Sequence, residues 1–217
     1  GIEEAIALFD KGRPRDKLQA EAVLKELVER LTIKAKLAER RMVLARQQAA
    51  AALLFMGSIA QSRDDRATAL SCFESALELS PEDSDAVKFI GLLRRSVARF
   101  EELQAIGIKR NDAALQAEAL RLKSDALRDQ DSDGAASIAL KTASEIEEAR
   151  ADKDYAALAI TYRKWAEVSE ELNGQKGVPW VAIQRFEKAE EYYRLAKDDA
   201  SANKMKAEAA RLTPSDG

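Results

Sequence analysis

From about Asp16 to Gln61 the apolar residues recur every three or four positions: Leu24, Val28, Leu31, Ala35, Ala38, Met42, Ala45, Ala49, Ala52 and Met56. Both seam positions of five successive heptads are therefore apolar, the pattern of a long amphipathic helix or a coiled-coil strand. No proline interrupts the run and Gly57 is its only glycine. The second half of the seam is rich in alanine, so a partner helix can approach closely there. Two arrangements fit: a helix packed on its own domain, and a helix that protrudes into a homodimer. A short apolar stretch from Ile2 to Asp10 comes first and is stopped by Lys11-Gly12-Arg13-Pro14.

Downstream, helix signals follow one another closely. Asp64 and Asp65 suit the start of a helix that runs to Leu79. Ser80-Pro81 ends it, because proline lacks the amide donor and disfavours helix in the residue before it. Ser84 is the expected cap of a helix from Asp85 to about Ala105, broken by Gly107. Asn111 opens the next, ending near Arg128; Asp133 starts another, to about Arg150; Asp152 or Asp154 begins a long one through Tyr155, Tyr162 and Trp165 to Leu172. A loop from Asn173 to Val178 follows, with Pro179 at a first-turn position, then a helix to Lys197 and a last one over Asp199 to Leu212. No window alternates as a strand, so the predicted class is all-α. The expected division is a segment over 1–49 holding the long helix and a helical domain over 50–217.

Composition narrows the chemistry. Among 217 residues there are 9 Gly, 4 Pro, one Cys and no His. Without histidine there is no Ser-His-Asp triad, no imidazole base and no His-ligated zinc. One Cys makes no internal disulfide, and Cys72 beside Phe73 is expected to be a packed thiol. The net charge of −3 argues against a nucleic-acid partner, since such proteins usually carry a basic excess. Clusters at Arg40, Arg41 and Arg46 and at Arg94, Arg95 and Arg99 lie among acids on helices and are expected to be solvated. The longest near-apolar stretch, Ala49 to Ala60, is twelve residues, short of the roughly 20 that a bilayer requires, so no membrane span is expected. The start GIEEAIALFD does not read as a signal peptide, and a cytoplasmic location is expected; the chain begins with Gly, which leaves a removed leader or anchor open.

Residues Ala50 to Asp83 resemble a tetratricopeptide repeat. Leu53, Met56, Gly57 and Ala60 fall at its first-helix positions, Ala69, Phe73 and Ala76 at its second-helix positions, and Pro81 closes it. Small residues let the two helices approach, and Phe73 fills the space between adjacent units. A step of 34 residues puts Val87, Ile90 and Gly91 on the same first-helix pattern, while Gly107 and Arg110 fall where Phe and Ala belong. A cryptic unit carries Ala136, Leu140 and Ala143. A last unit carries Tyr155, Leu158, Ala159 and Tyr162, then Ala182, Phe186 and Ala189. The resemblance implies a solenoid of antiparallel helix hairpins over about Ala50 to Lys197, capped by the helix from Asp199 to Leu212.

The resemblance also implies work: a concave face that holds a peptide or another protein. By repeat phase Leu54, Ser58 and Gln61 line that face, followed by Lys88, Leu92 and Arg95. Leu54, Ser58 and Leu92 stand where the family's carboxylate clamp has Lys and Asn, so a chaperone-tail clamp is not expected. Lys88 and Arg95 beside Leu54 suit an acidic or carboxylate-ended peptide with an apolar anchor. Asp129, Asp131, Asp133 and Gly134 look like the start of a calcium loop, but Leu140 stands where its bidentate Glu belongs, and an acidic turn is the expectation. Gly174-Gln175-Lys176-Gly177 lacks the spacing of a phosphate loop. Trp165 and Trp180 are expected to pack; Tyr192 and Tyr193 do not fit together on one buried helix face, so one is expected to be exposed or to reach a neighbouring element. No catalytic residue, cofactor or metal is expected.

Overall fold

A single turn design recurs along the chain. In Asp64-Asp65, Arg95-Ser96, Asn111-Asp112, Asp131-Ser132 and Lys197-Asp198 the first residue is left-handed, with φ between 48° and 62°. The second donates its N–H to the carbonyl five residues back, on Ala60, Gly91, Gly107, Leu127 and Tyr193 respectively. That bond closes the preceding helix. The same second residue is the N-cap of the next helix, and Asp65, Asp112 and Asp198 accept the N–H groups of Thr68, Leu115 and Ser201. One dipeptide thus ends one helix and starts another, which makes tight antiparallel hairpins.

Lys197 is exposed and strained in this way, so Lys197→Gly is expected to raise stability by about 0.5–1 kcal/mol. A denaturant midpoint that stays or falls would show that the left-handed turn costs nothing at this position.

The computed structural model describes residues 2–11, 13–173 and 179–213; within them every regular element is an α-helix. The helices are α1 (Ile2–Asp10), α2 (Pro14–Ser62), α3 (Arg66–Leu79), α4 (Ser84–Arg94), α5 (Val97–Lys109), α6 (Ala113–Arg128), α7 (Asp133–Ala149), α8 (Tyr155–Asn173), α9 (Trp180–Leu195) and α10 (Asp199–Leu212). The glycine-rich segment 174–178 lies outside the described residues. The chain divides into two compact units, Gly1–Leu53 and Leu54–Gly217.

In the first unit α1 lies against the start of α2 through the buried Ala5 and Ala20. The heptad seam beyond them is open: Val28 is 60% exposed, Leu31 52% and Met42 50%. The twelve-residue apolar stretch Ala49 to Ala60 is part of this longer helix. Within Arg15–Ser62 an 18-residue window has a mean hydropathy of 1.3, so this helix is long and apolar enough to cross a membrane by length and composition. The last turns of α2 nevertheless belong to the second unit, where Leu54 and Ala60 join a cluster with Ala69, Phe73 and Ile90.

In the second unit each helix packs on its neighbours in sequence. The last turns of α2 pair with α3, α4 with α5, α6 with α7 and α8 with α9, while α10 covers α9. Small apolar clusters lie between them: Val87, Leu103, Ile106 and Ala119; then Ala117, Leu120, Ala139 and Ala143; then Ala136, Leu140 and Val168. The largest joins α8, α9 and α10 through Leu158, Phe186, Tyr192, Tyr193 and Met205.

Several expectations are corrected here. The helix expected over Asp85 to Ala105 is two, split at Arg95-Ser96, and Gly107 is buried inside α5. Asp83, not Ser84, caps α4. Ser132, not Asp133, precedes α7, and Asp112 caps α6. For Tyr192 and Tyr193 the alternative of reaching a neighbouring element is the one found: both are buried, because α8 and α10 cover two faces of α9. Trp180 is 55% exposed rather than packed.

Candidate peptide-binding site

The first helices of successive hairpins end on one edge of the second unit, and three adjoining hollows lie along that edge. The first, about 400 Å³, is lined by Gln61, Asp64, Arg66, Leu92, Leu93 and Arg95. The second, about 350 Å³, shares Leu92 and Arg95 and adds Phe100, Leu122, Asp125, Ala126 and Asp129. The third, about 540 Å³, shares Asp125 and Asp129 and adds Arg128, Asp131, Asp133 and Glu171. Shared walls make them one strip from the end of α2 to the end of α8.

The structure thus brings together Gln61, Leu92 and Arg95 of the residues picked out by repeat phase. The other three lie apart from this strip. Leu54 is half-buried against the Phe73 cluster. Ser58 is exposed and its hydroxyl donates to the Leu54 carbonyl. Lys88 forms an ion pair with Glu118 on the next first helix, α6. Arg95 is paired as well, to Asp129 at 3.0 Å, yet its side chain remains 71% exposed.

These pairs belong to a ladder that ties α4 to α6 and α6 to α8. Lys164 of α8 pairs with Asp125 of α6, and Arg128 of α6 with Glu171 of α8. Below the ladder Arg121 meets Glu147, which is 1% exposed and also accepts the Thr161 hydroxyl at 3.0 Å. Asp131 and Asp133 have no ion-pair partner among the described residues. No group of three or more carboxylates there is arranged to hold a metal ion. Leu140 is fully buried in the α7–α8 cluster and supplies no ligand. Calorimetric titration is expected to find no calcium site tighter than about 10 μM. A tighter stoichiometric site that is lost in Asp131→Ala would overturn this.

A second polar assembly, on α7, α8 and α9, was not legible in the sequence. The hydroxyls of Tyr162 and Tyr192 both donate to one Glu148 oxygen, each at 2.8 Å. Trp165 donates its ring N–H to Ser137 at 2.9 Å, and the Arg185 guanidinium lies 3.6 Å from the Trp165 ring centroid. Burial lowers the Arg185 pKa to about 10. Burial, then the Glu148 carboxylate, pushes Tyr162 up to about 12 and raises Tyr192 as well. The polar groups answer one another, so the assembly clasps three helices.

The clasp has a pH dependence. A phenol held neutral by the fold still ionises near 10 in the unfolded chain. Its stabilisation is full below pH 10 and is lost as pH rises to about 12. In an alkaline absorbance titration Tyr162 and Tyr192 should ionise above the ordinary phenol range near 10. A smaller rise in Glu148→Gln would confirm the carboxylate's part, and an unchanged rise would refute it.

Hairpins of this kind, stacked in chain order with a terminal covering helix, define a tetratricopeptide-like α-solenoid. Among solved structures two of MamA are similar to this chain. One has 18% identity and a TM-score of 0.39 and covers 76% of this chain and 92% of that one. The other has 19% identity and a TM-score of 0.35 and covers 72% and 94%. YrrB, described as a TPR protein with an unusual peptide-binding site, is similar at 15% identity and a TM-score of 0.34, covering 76% of this chain and 86% of that one. No protein-family model and no curated protein sequence matches.

Proposed function

We propose that the chain is a non-catalytic interaction scaffold that holds an extended peptide along the edge strip of its second unit. The observation that carries this is the continuity of the three hollows through Leu92, Arg95, Asp125 and Asp129. Leu92 is 41% exposed between two of them and offers an apolar contact. The absence of histidine and the burial of the only cysteine support the non-catalytic part. Of the two cations picked out by repeat phase, Arg95 lines the strip and would meet an acidic ligand, while Lys88 is paired with Glu118 away from it.

The test is selection from a random displayed peptide library on the full chain. Selected peptides should bind at least about tenfold more weakly to Leu92→Glu. Hydrogen exchange should show protection at the ends of α4 and α6. Peptides that bind both proteins equally, or that protect other segments, overturn the reading.

A second reading rests on the exposed seam of α2: a structural module that dimerises through this helix. In a parallel, in-register pair Lys34 faces Glu39 of the other copy while Arg41 faces Arg46, one attractive and one repulsive contact, so pairing should depend little on salt. Light scattering decides. A mass of twice 23.9 kDa that falls to one copy in Leu31→Glu supports the dimer, and 23.9 kDa for the wild type at high salt excludes it.

A further inference from the structure

We infer that the ligand of the strip is bipolar, with a basic residue at one end, an apolar side chain in the middle and an acidic group at the other end. This rests on the peptide-scaffold reading and deepens it. At the first hollow the charged walls are Arg66 and Arg95 against Asp64. Arg66 donates to the carbonyl of Leu93, a neutral partner, so its charge is not cancelled there. Arg95 keeps most of its side chain in solvent. The middle hollow has an apolar wall of Leu92, Phe100, Leu122 and Ala126. The third sets Asp125, Asp129, Asp131, Asp133 and Glu171 against Arg128 alone. Internal cations from neighbouring helices answer Asp125, Asp129 and Glu171, and Asp131 and Asp133 remain. The potential therefore changes sign along the strip. A wholly acidic peptide long enough to fill it would lay like charge on its far end.

Spacing follows from helix packing. Neighbouring helix axes lie about 8–10 Å apart. An extended chain advances about 3.3 Å per residue, so consecutive hollows take side chains about three residues apart. The expected ligand reads basic-x-x-apolar-x-x-acidic, or the same order reversed, since charge alone leaves the chain direction free. A terminal carboxylate serves as well as an acidic side chain at the Arg66 end.

The experiment uses fluorescein-labelled synthetic peptides with Ser as the spacer: Lys-x-x-Leu-x-x-Asp, its reversal, and the two homogeneous forms with Asp or Lys at both ends. Anisotropy titrations are run against the full chain, Asp131→Asn/Asp133→Asn, Arg66→Gln and Leu92→Glu, each checked by circular dichroism. One direction of the bipolar peptide should bind about tenfold more tightly than either homogeneous form. It should lose about that factor in the Asp131→Asn/Asp133→Asn variant, which leaves binding of the all-acidic peptide unweakened. Arg66→Gln should weaken the bipolar peptide too. If the all-acidic or all-basic peptide binds as well as the bipolar one, or no designed peptide binds, the inference fails. In that event the peptide-scaffold reading survives only if library-selected peptides still depend on Leu92.

Discussion

Phe73→Ala is expected to destabilise the second unit by about 3–5 kcal/mol, the range for large-to-small changes in packed cores. The ring is fully buried and touches both sides of the first hairpin junction. It stacks on Phe89 of α4 with centroids 4.9 Å apart. Its edge occupies the space a side chain at Gly57 would need: a Cβ there would lie 2.5 Å from the ring. Gly57→Ala should therefore be destabilising in the wild type and close to neutral when Phe73 is already Ala. Urea unfolding of the four proteins of this cycle gives the coupling directly. A loss below about 1 kcal/mol for Phe73→Ala would show that the hairpin is held elsewhere.

The second large effect is expected from Arg121→Met. Glu147 is 1% exposed, and its carboxylate is answered by Arg121 and the Thr161 hydroxyl. Removing the cation leaves a buried charge with one neutral donor, which costs about 3–5 kcal/mol. Removing both charges in Arg121→Met/Glu147→Leu should recover much of that loss, because apolar groups of similar volume replace buried pairs well. Unfolding curves in urea distinguish the two. A double variant no more stable than the single one would mean that Glu147 has a further role in joining α6, α7 and α8.

The first hairpin was readable because Ala69, Phe73, Ala76 and Pro81 stand at local, regular spacings. The second was misread for a definite reason. Gly91 and Phe100 repeat the contact of Gly57 and Phe73, with a Cβ at Gly91 only 2.7 Å from the ring, but nine residues apart instead of sixteen. Seven residues are close to two helical turns, so the same faces meet in a shorter hairpin and a fixed step of 34 misses it. Arg95 hid the turn, since an arginine in a left-handed corner carries none of the signal of Gly or Asn. For Tyr192 and Tyr193 the sequence leaves exposure and contact with a neighbouring element both open, because periodicity along α9 does not report that α8 and α10 cover it from two sides. The cationic and apolar parts of the strip, Arg95 and Leu92, followed from repeat phase. Its acidic part did not, because Asp125, Asp129 and Glu171 meet partners 34 to 43 positions away in sequence. For α2 the sequence tells which face is apolar and is silent on what lies against that face.

The ladder of ion pairs gives the solenoid unequal stiffness. Within a hairpin the contacts are apolar and close-packed and have little freedom to slide. Between first helices the ties on the strip side are charged side chains still partly in water: Lys88 to Glu118, Arg95 to Asp129, Lys164 to Asp125 and Arg128 to Glu171. Such ties weaken as mobile ions screen them, over about 10 Å at 0.1 M salt. Buried apolar clusters still join one hairpin to the next, so salt should loosen only the strip side of each seam and leave the stack assembled. A chain laid along that edge, as proposed above, would meet charged side chains freer to re-pair as salt rises.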